Sequence, residues 1–203
     1  MCGRFMLLDE AENDEIRRIV DEINSRYNQE ESVKLKTGEI FPTNNAPSII
    51  TDNTNKKIIT LMKWGFPNTR SNGVIINARQ ETLDEKPTFK SLLHHKRCLI
   101  PASGFYEWKQ VENKKEKYLI RAQKPAFYMA GLYNSFTDKL GNSFNAFVII
   151  TTDANAEMAA LHNRMPVIMQ KNEGKMWLSH DKTIAQFKNL LIPYPDSLIF
   201  SKV

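Results

Sequence analysis

Short extended runs separated by polar turns fill most of this chain, and that rhythm restricts it to a sheet-rich fold. Runs at 48–51 and 57–64 are joined by Asp52-Asn53-Thr54-Asn55, a hairpin signature, and they follow an irregular stretch at 41–47 that holds Pro42 and Pro47. Further runs lie at 74–76, 105–108, 118–121, 127–132, 143–152 and 167–169, with polar turns at 113–115 and 137–142. Strands at 3–8 and 198–201 complete the expected set. Helical periodicity is sparser. Ile16, Ile19, Val20, Ile23 and Tyr27 make one apolar stripe of a helix over 9–27, with Asp9 and Glu12 as its expected cap. Shorter helices are expected after Pro87, over 153–161 with Thr152 or Asp153 as cap, near 173–178 and near 184–191. Without repeats or long linkers, the pattern describes one α+β domain over 1–203, with a large, mainly antiparallel sheet flanked by helices.

The bulk chemistry narrows the class further. With 203 residues, 41% hydrophobic and 25% charged, the chain can bury a core without disulfide staples. Its 2 cysteines, Cys2 and Cys98, form neither a disulfide framework nor a zinc ligand set. Nothing resembles a secretory apolar region, so a reducing cytoplasm is the expected location. No apolar run approaches the roughly 20 residues that span a bilayer. The net charge of +5 and pI of about 9.1 are compatible with a polyanionic partner. Acidic residues crowd 9–31 whereas 86–124 is basic, so the folded surface is expected to be asymmetric in charge. His94 and His95 lie near Cys98, but adjacent helical histidines diverge and no second pair completes a shell; neither metal nor cofactor is expected.

Three residues invite chemistry. If the initiator methionine is removed, Cys2 becomes an N-terminus carrying an α-amine and a thiol on adjacent carbons, both nucleophiles near neutral pH. The plain alternative is a small apolar residue at the start of a strand. In an extended 105–108 segment, Glu107 shares a face with Phe105, opposite Tyr106 and Trp108. It is then either a strand-end charge reaching solvent or an acid with a raised pKa. His162 ends the helix over 153–161, where a histidine also serves simply as a favourable charge on the dipole.

Six blocks recur in register: Met1-Cys2-Gly3-Arg4-Phe5; Trp64-Gly65; Asn77-Ala78-Arg79 with Glu81-Thr82; Arg97 to Pro101 with Gly104-Phe105-Tyr106-Glu107-Trp108; Thr151-Thr152 with Ala154-Asn155; and His162 with Arg164 to Ile168. In these blocks the chain resembles the SOS-response-associated peptidase (SRAP) family, abasic-site-processing proteins that cross-link to damaged DNA. The resemblance implies a sheet curled into a pseudo-barrel with a positively charged groove. It implies Cys2 as nucleophile, with Asn77, Glu107 and His162 completing the active site. Arg4, Arg79 and Arg164 would hold phosphates flanking the lesion, and Pro42, Trp64 and Thr151 would line the groove. The implied partner is single-stranded DNA containing an abasic site, bound by a monomer. One block departs from the family, which usually carries a second tryptophan after the proline; here Phe66 runs into Pro67 and Asn68, which implies a different preference at single-strand to duplex junctions.

These residue types suit the implied reaction. A 1,2-aminothiol condenses with an aldehyde through an iminium, and the neighbouring sulfur closes a five-membered thiazolidine. Glu107 would exchange the protons, His162 would assist ring opening and release, and Asn77 would orient Cys2 or the opened sugar. Loss of a proton from the iminium would give weak lyase activity as a side path. Two other readings share the residues: an N-terminal-nucleophile peptidase or amidase acting through Cys2, and a noncatalytic single-strand-binding module. Arg4, Arg79 and Arg164 favour DNA, since a peptidase has no evident need for all three.

Overall fold

The computed structural model describes residues 2–8, 13–27, 35–68 and 71–203. The first half carries β1 (Arg4–Leu7), α1 (Asp14–Tyr27), β2 (Gly38–Ile40), β3 (Asn45–Thr51), β4 (Lys57–Trp64), β5 (Phe66–Pro67), β6 (Val74–Ile75), β7 (Asn77–Arg79), α2 (Pro87–Lys90) and α3 (Leu92–His95). The second half carries β8 (Arg97–Ala102), β9 (Gly104–Val111), β10 (Lys114–Ala122), β11 (Phe127–Thr137), β12 (Ser143–Asp153), α4 (Ala156–Ala159), β13 (Arg164–Pro166), β14 (Ile168–Met169), α5 (Lys171–Leu178), α6 (Ile184–Lys188) and β15 (Leu198–Lys202).

Five of these strands close on themselves. Strand β3 pairs antiparallel with β4 and β8, β8 with β11, and β11 with β12; β12 then meets β4 in parallel, completing the ring. The α+β class and the barrel are as expected, and closure removes the exposed edges that an open sheet would leave. Strand β7 joins β12 in parallel, and β13 lies on the other side of its end. A second, five-stranded sheet, in the order β15-β10-β9-β1-β2, packs against this barrel. Phe5, Trp64, Phe105, Phe147 and Ile149, all 0% exposed, fill a shared core cluster.

Local chemistry accounts for the elements. Asp52 builds the β3–β4 turn, its carboxylate accepting from the backbone N–H of Thr54 (2.8 Å) and of Lys56 (3.0 Å). The stripe Ile16, Ile19, Val20 and Ile23 buries one face of α1. The expected cap at Asp9 and Glu12 lies outside the described residues; within them, the Asn13 side chain accepts from the Ile16 N–H at 3.2 Å.

Three expectations need correction. Strands β10, β11 and β12 run longer than 118–121, 127–132 and 143–152: β10 because Val111 pairs with Lys114 across a two-residue turn in which Glu112 takes φ 50, β11 because its pairing with β12 continues to Thr137, and β12 because Asp153 still pairs with Arg164. The helix expected over 153–161 is only α4, capped by Asn155, whose side chain accepts from Met158 N at 2.9 Å. Thr152 and Asp153 do not cap it, since both are still paired in β12 with Met165 and Arg164. Pairing also begins at Asn45, inside the stretch expected to be irregular.

The barrel leaves no room at Gly131, in β11 between β8 and β12. A Cβ there would meet Ile100 Cδ1 at 2.5 Å and Val148 O at 2.8 Å. Gly131→Ala is expected to lower stability by about 1–3 kcal/mol, an overpacking cost read from denaturant unfolding; an unchanged midpoint would contradict the closure described here.

Candidate functional site

The residues expected to react converge where the two sheets face each other. Cys2 lies just ahead of β1, and the β1–β9 register sets Arg4 opposite Tyr106, so the chain's start runs alongside Glu107. Asn77 opens β7, held on the barrel by its pairing with Ile149 of β12. Its Nδ2 donates to the Cys2 carbonyl at 2.9 Å, a direct bond between the two sheets. His162 follows α4, its backbone N–H donating to Met158 O at 2.9 Å.

Burial sets the protonation states. Cys2 is 0% exposed, and burial, followed by the charge of Glu107, pushes its thiol well above the ordinary thiol range. The thiol is turned to the Arg4 carbonyl at 3.7 Å. Glu107, 4% exposed, is likewise raised by burial, with the charge of His162 opposing the shift. The charge of Glu107 acts on Cys2 and that of His162 on Glu107, so the three side chains are electrostatically linked. The half-buried His162 ring is held by the backbone of Arg164, whose N–H lies 3.0 Å and whose carbonyl lies 3.2 Å from Nδ1. A neutral ring can accept from that N–H, and a protonated ring can donate to that carbonyl. Both states of a proton shuttle therefore have a partner.

The residues expected at the nucleic acid separate into two groups. Arg4 is partly exposed, bonded to Glu39 at 3.1 Å, with its guanidinium 4.6 Å from the Phe41 ring centre and 5.0 Å from that of Trp108. Arg79 is exposed on β7. Pro42 is half-buried, in a turn in which the next residue, Thr43, takes φ 72 and donates to Trp64 O.

Trp64, Thr151 and Arg164 are instead inside. Trp64 is 0% exposed, between Phe5 and Phe147, and does not present its ring to a groove. Gly65, with φ 112, turns the chain so that the indole faces the core, where Nε1 donates to Ile76 O at 3.0 Å and so braces the residue before Asn77. Phe66 is also buried, against Phe89 and Phe136. Thr151 is 0% exposed. The Arg164 guanidinium is engaged by Glu81, Asp153 and the Thr151 carbonyl. Asn77 Oδ1, Thr151 Oγ1 and Arg164 Nε are buried with no hydrogen-bond partner among the described residues. Each such orphan costs about 1–3 kcal/mol, and their grouping on β7, β12 and β13 suits a site that completes its bonds with a ligand.

Glu39, Lys117, Glu81 and Asp153 are the charged groups that reading the sequence missed. Glu39 accepts from Lys117 as well as Arg4. Glu81 stands in one of the recurring blocks two residues after Arg79, and that position is the one signal that could have found it. Among the described residues no group of three or more His, Cys, Asp or Glu is placed to hold a metal ion.

Comparison with known proteins bears on the family and the fold. The family profile described as SOS response associated peptidase (SRAP) matches residues 1–203. The abasic site processing protein YoqW of Bacillus subtilis (strain 168) is 36% identical over 202 residues, covering 96% of this chain and 88% of its own. The abasic site processing protein YedK of Escherichia coli (strain K12) is 25% identical over 187 residues, covering 89% and 81%. A crystal structure of a protein from Bacteroides thetaiotaomicron superposes with a TM-score of 0.81 at 24% identity, over 100% of this chain and 92% of that one, and so shares the fold.

Proposed function

Because the chain belongs to the SOS response associated peptidase family, we propose that it processes abasic sites in DNA, capturing them in single strands as a covalent thiazolidine on Cys2. The observation that carries this reading is the buried pair of Cys2 and Glu107, with Asn77 bonded to the Cys2 carbonyl.

Removal of Met1 would free the α-amine of Cys2. With the thiol raised by burial, the amine is the better first nucleophile. It adds to the C1′ aldehyde of the opened sugar, and the carbinolamine loses water to give an iminium. Cys2 Sγ then attacks C1′ and its proton passes to Glu107, whose raised pKa makes the carboxylate a competent base. The second addition is intramolecular, so a small thiolate fraction suffices. If the iminium instead loses a C2′ proton, the 3′ phosphate leaves, a minor lyase path. The raised thiol also counts against the hydrolase reading, which needs Cys2 as the attacking thiolate from the start.

The partly exposed Arg4 and the exposed Arg79 are the phosphate contacts this reading uses, and binding through them should weaken with salt. The test is a single-stranded oligonucleotide with one abasic site, incubated with processed protein and run on a denaturing gel; a shifted band is expected, and its absence sinks the reading. His162→Ala should slow release of the adduct more than its formation, because release needs a proton moved at the sugar oxygen, whereas part of the abasic sugar is already open before capture. Pulse-chase with unlabelled oligonucleotide measures this, and an unchanged adduct lifetime would rule the role out.

A further inference from the structure

We infer that Glu81 is a positioning residue for this reaction, acting through Arg164 on both Asn77 and His162. The inference rests on the function proposed above. Glu81 lies in the 3₁₀ turn Gln80–Thr82 that directly follows β7, the strand bearing Asn77. Its two carboxylate oxygens accept from the two terminal nitrogens of Arg164, Oε1 from Nη1 at 3.0 Å and Oε2 from Nη2 at 2.9 Å. This is the planar, two-point pairing that fixes geometry as well as charge.

The rest of the guanidinium is committed as well. Nη1 also donates to Asp153 Oδ1 at 2.6 Å and Nη2 to the Thr151 carbonyl at 2.9 Å. The Arg164 side chain is 9% exposed, against 41% for Glu81 and 80% for Asp153, so Glu81 is the better shielded of its two carboxylates. Strand ends β7, β12 and β13 are thus tied at one point. Two residues before it, the Arg164 N–H holds His162 Nδ1. Shifting Arg164 therefore moves the histidine ring, and releasing the turn after β7 loosens Asn77.

The same bonds redefine Arg164. Its terminal nitrogens face two carboxylates and the Thr151 carbonyl, and only Nε, buried and without a partner among the described residues, remains to donate. A phosphate cannot take the two-nitrogen edge without displacing Glu81. Arg164 is balanced in charge by Glu81 and Asp153, so it adds orientation rather than net attraction for DNA, and the exposed Arg79 is the phosphate contact at this corner.

The experiment compares wild type, Glu81→Gln and Glu81→Asp in single-turnover capture of an abasic-site oligonucleotide, alongside affinity for the undamaged strand and thermal midpoints. Loss of a supporting hydrogen bond behind reacting groups is expected to slow capture by about tenfold in Glu81→Gln, with undamaged-strand affinity changed by less than about twofold. Glu81→Asp keeps the charge at shorter reach and is expected to capture faster than Glu81→Gln but slower than wild type; it carries the test if the glutamine variant does not fold. Rates equal to wild type well below each midpoint would overturn the inference, whatever the midpoints do. So would tighter binding of the undamaged strand with undiminished capture, the mark of a counterion that DNA displaces. If wild type itself forms no adduct, the proposed function fails first, and that outcome is distinct from adduct formed equally by wild type and variants.

Discussion

Cys2→Ala is expected to abolish the denaturation-resistant adduct altogether, a loss of at least about 10³-fold if ring closure supplies the trap. The substitution leaves an α-amine at the processed N-terminus, so an iminium with the abasic aldehyde can still form. Without sulfur it cannot close and returns to starting materials by hydrolysis, or loses a proton and cleaves the strand. The variant should therefore give no band shift under ordinary conditions, yet a shifted band when borohydride reduces the iminium. A wild-type level of unreduced adduct in Cys2→Ala would exclude the thiazolidine. Loss of one buried sulfur from a position that is 0% exposed should cost only about 1 kcal/mol, so the variant is expected to fold and the comparison to be fair.

What could be read in advance divides along the range of the interactions. The β3–β4 hairpin was legible because Asp52 organises its turn within four residues. The α1 stripe was legible because helical period and burial coincide at Ile16, Ile19, Val20 and Ile23. Barrel closure was not readable from periodicity, since it depends on the parallel pairing of Ala146 with Lys63 and Phe147 with Trp64, which no local turn announces. The site divides the same way. Alternation along β9 separates Glu107 and Phe105 from Tyr106 and Trp108, and Arg4 indeed lies over Trp108, on the face away from Glu107. The surroundings of Trp64 and Arg164 follow instead from Gly65 turning the indole inward and from the β12–β13 register that sets Asp153 opposite Arg164. A tryptophan beside a glycine and an arginine beside a histidine look equally suited to a DNA groove in one dimension. Only packing distinguishes a ring that touches bases from one that braces Ile76.

Glu107→Gln should separate activity from stability in opposite directions. Glutamine fills the same space and keeps an acceptor, but it can take no proton from the amine or thiol of Cys2; removing a general acid–base usually costs about 10²–10⁴-fold, and capture should fall within that span. Stability should move the other way. The Glu107 carboxyl titrates higher in the folded chain than in the unfolded one, because burial penalises its charge. Such a group stabilises the fold while protonated, below its unfolded pKa, and that contribution is lost as pH rises through the folded pKa. Above the ordinary glutamate range the buried carboxyl is therefore a net burden, which a neutral amide relieves. Thermal unfolding at pH 7 should place Glu107→Gln above wild type, and the difference should shrink as pH falls below the ordinary glutamate range, where both side chains are uncharged. Slow capture with a lower midpoint at pH 7 would mean that the carboxylate is held by bonds strong enough to outweigh its burial, and Glu107 would then be an anchor rather than a base. Slow capture with a higher midpoint would identify a group kept in an unfavourable place because the chemistry at Cys2 needs it there.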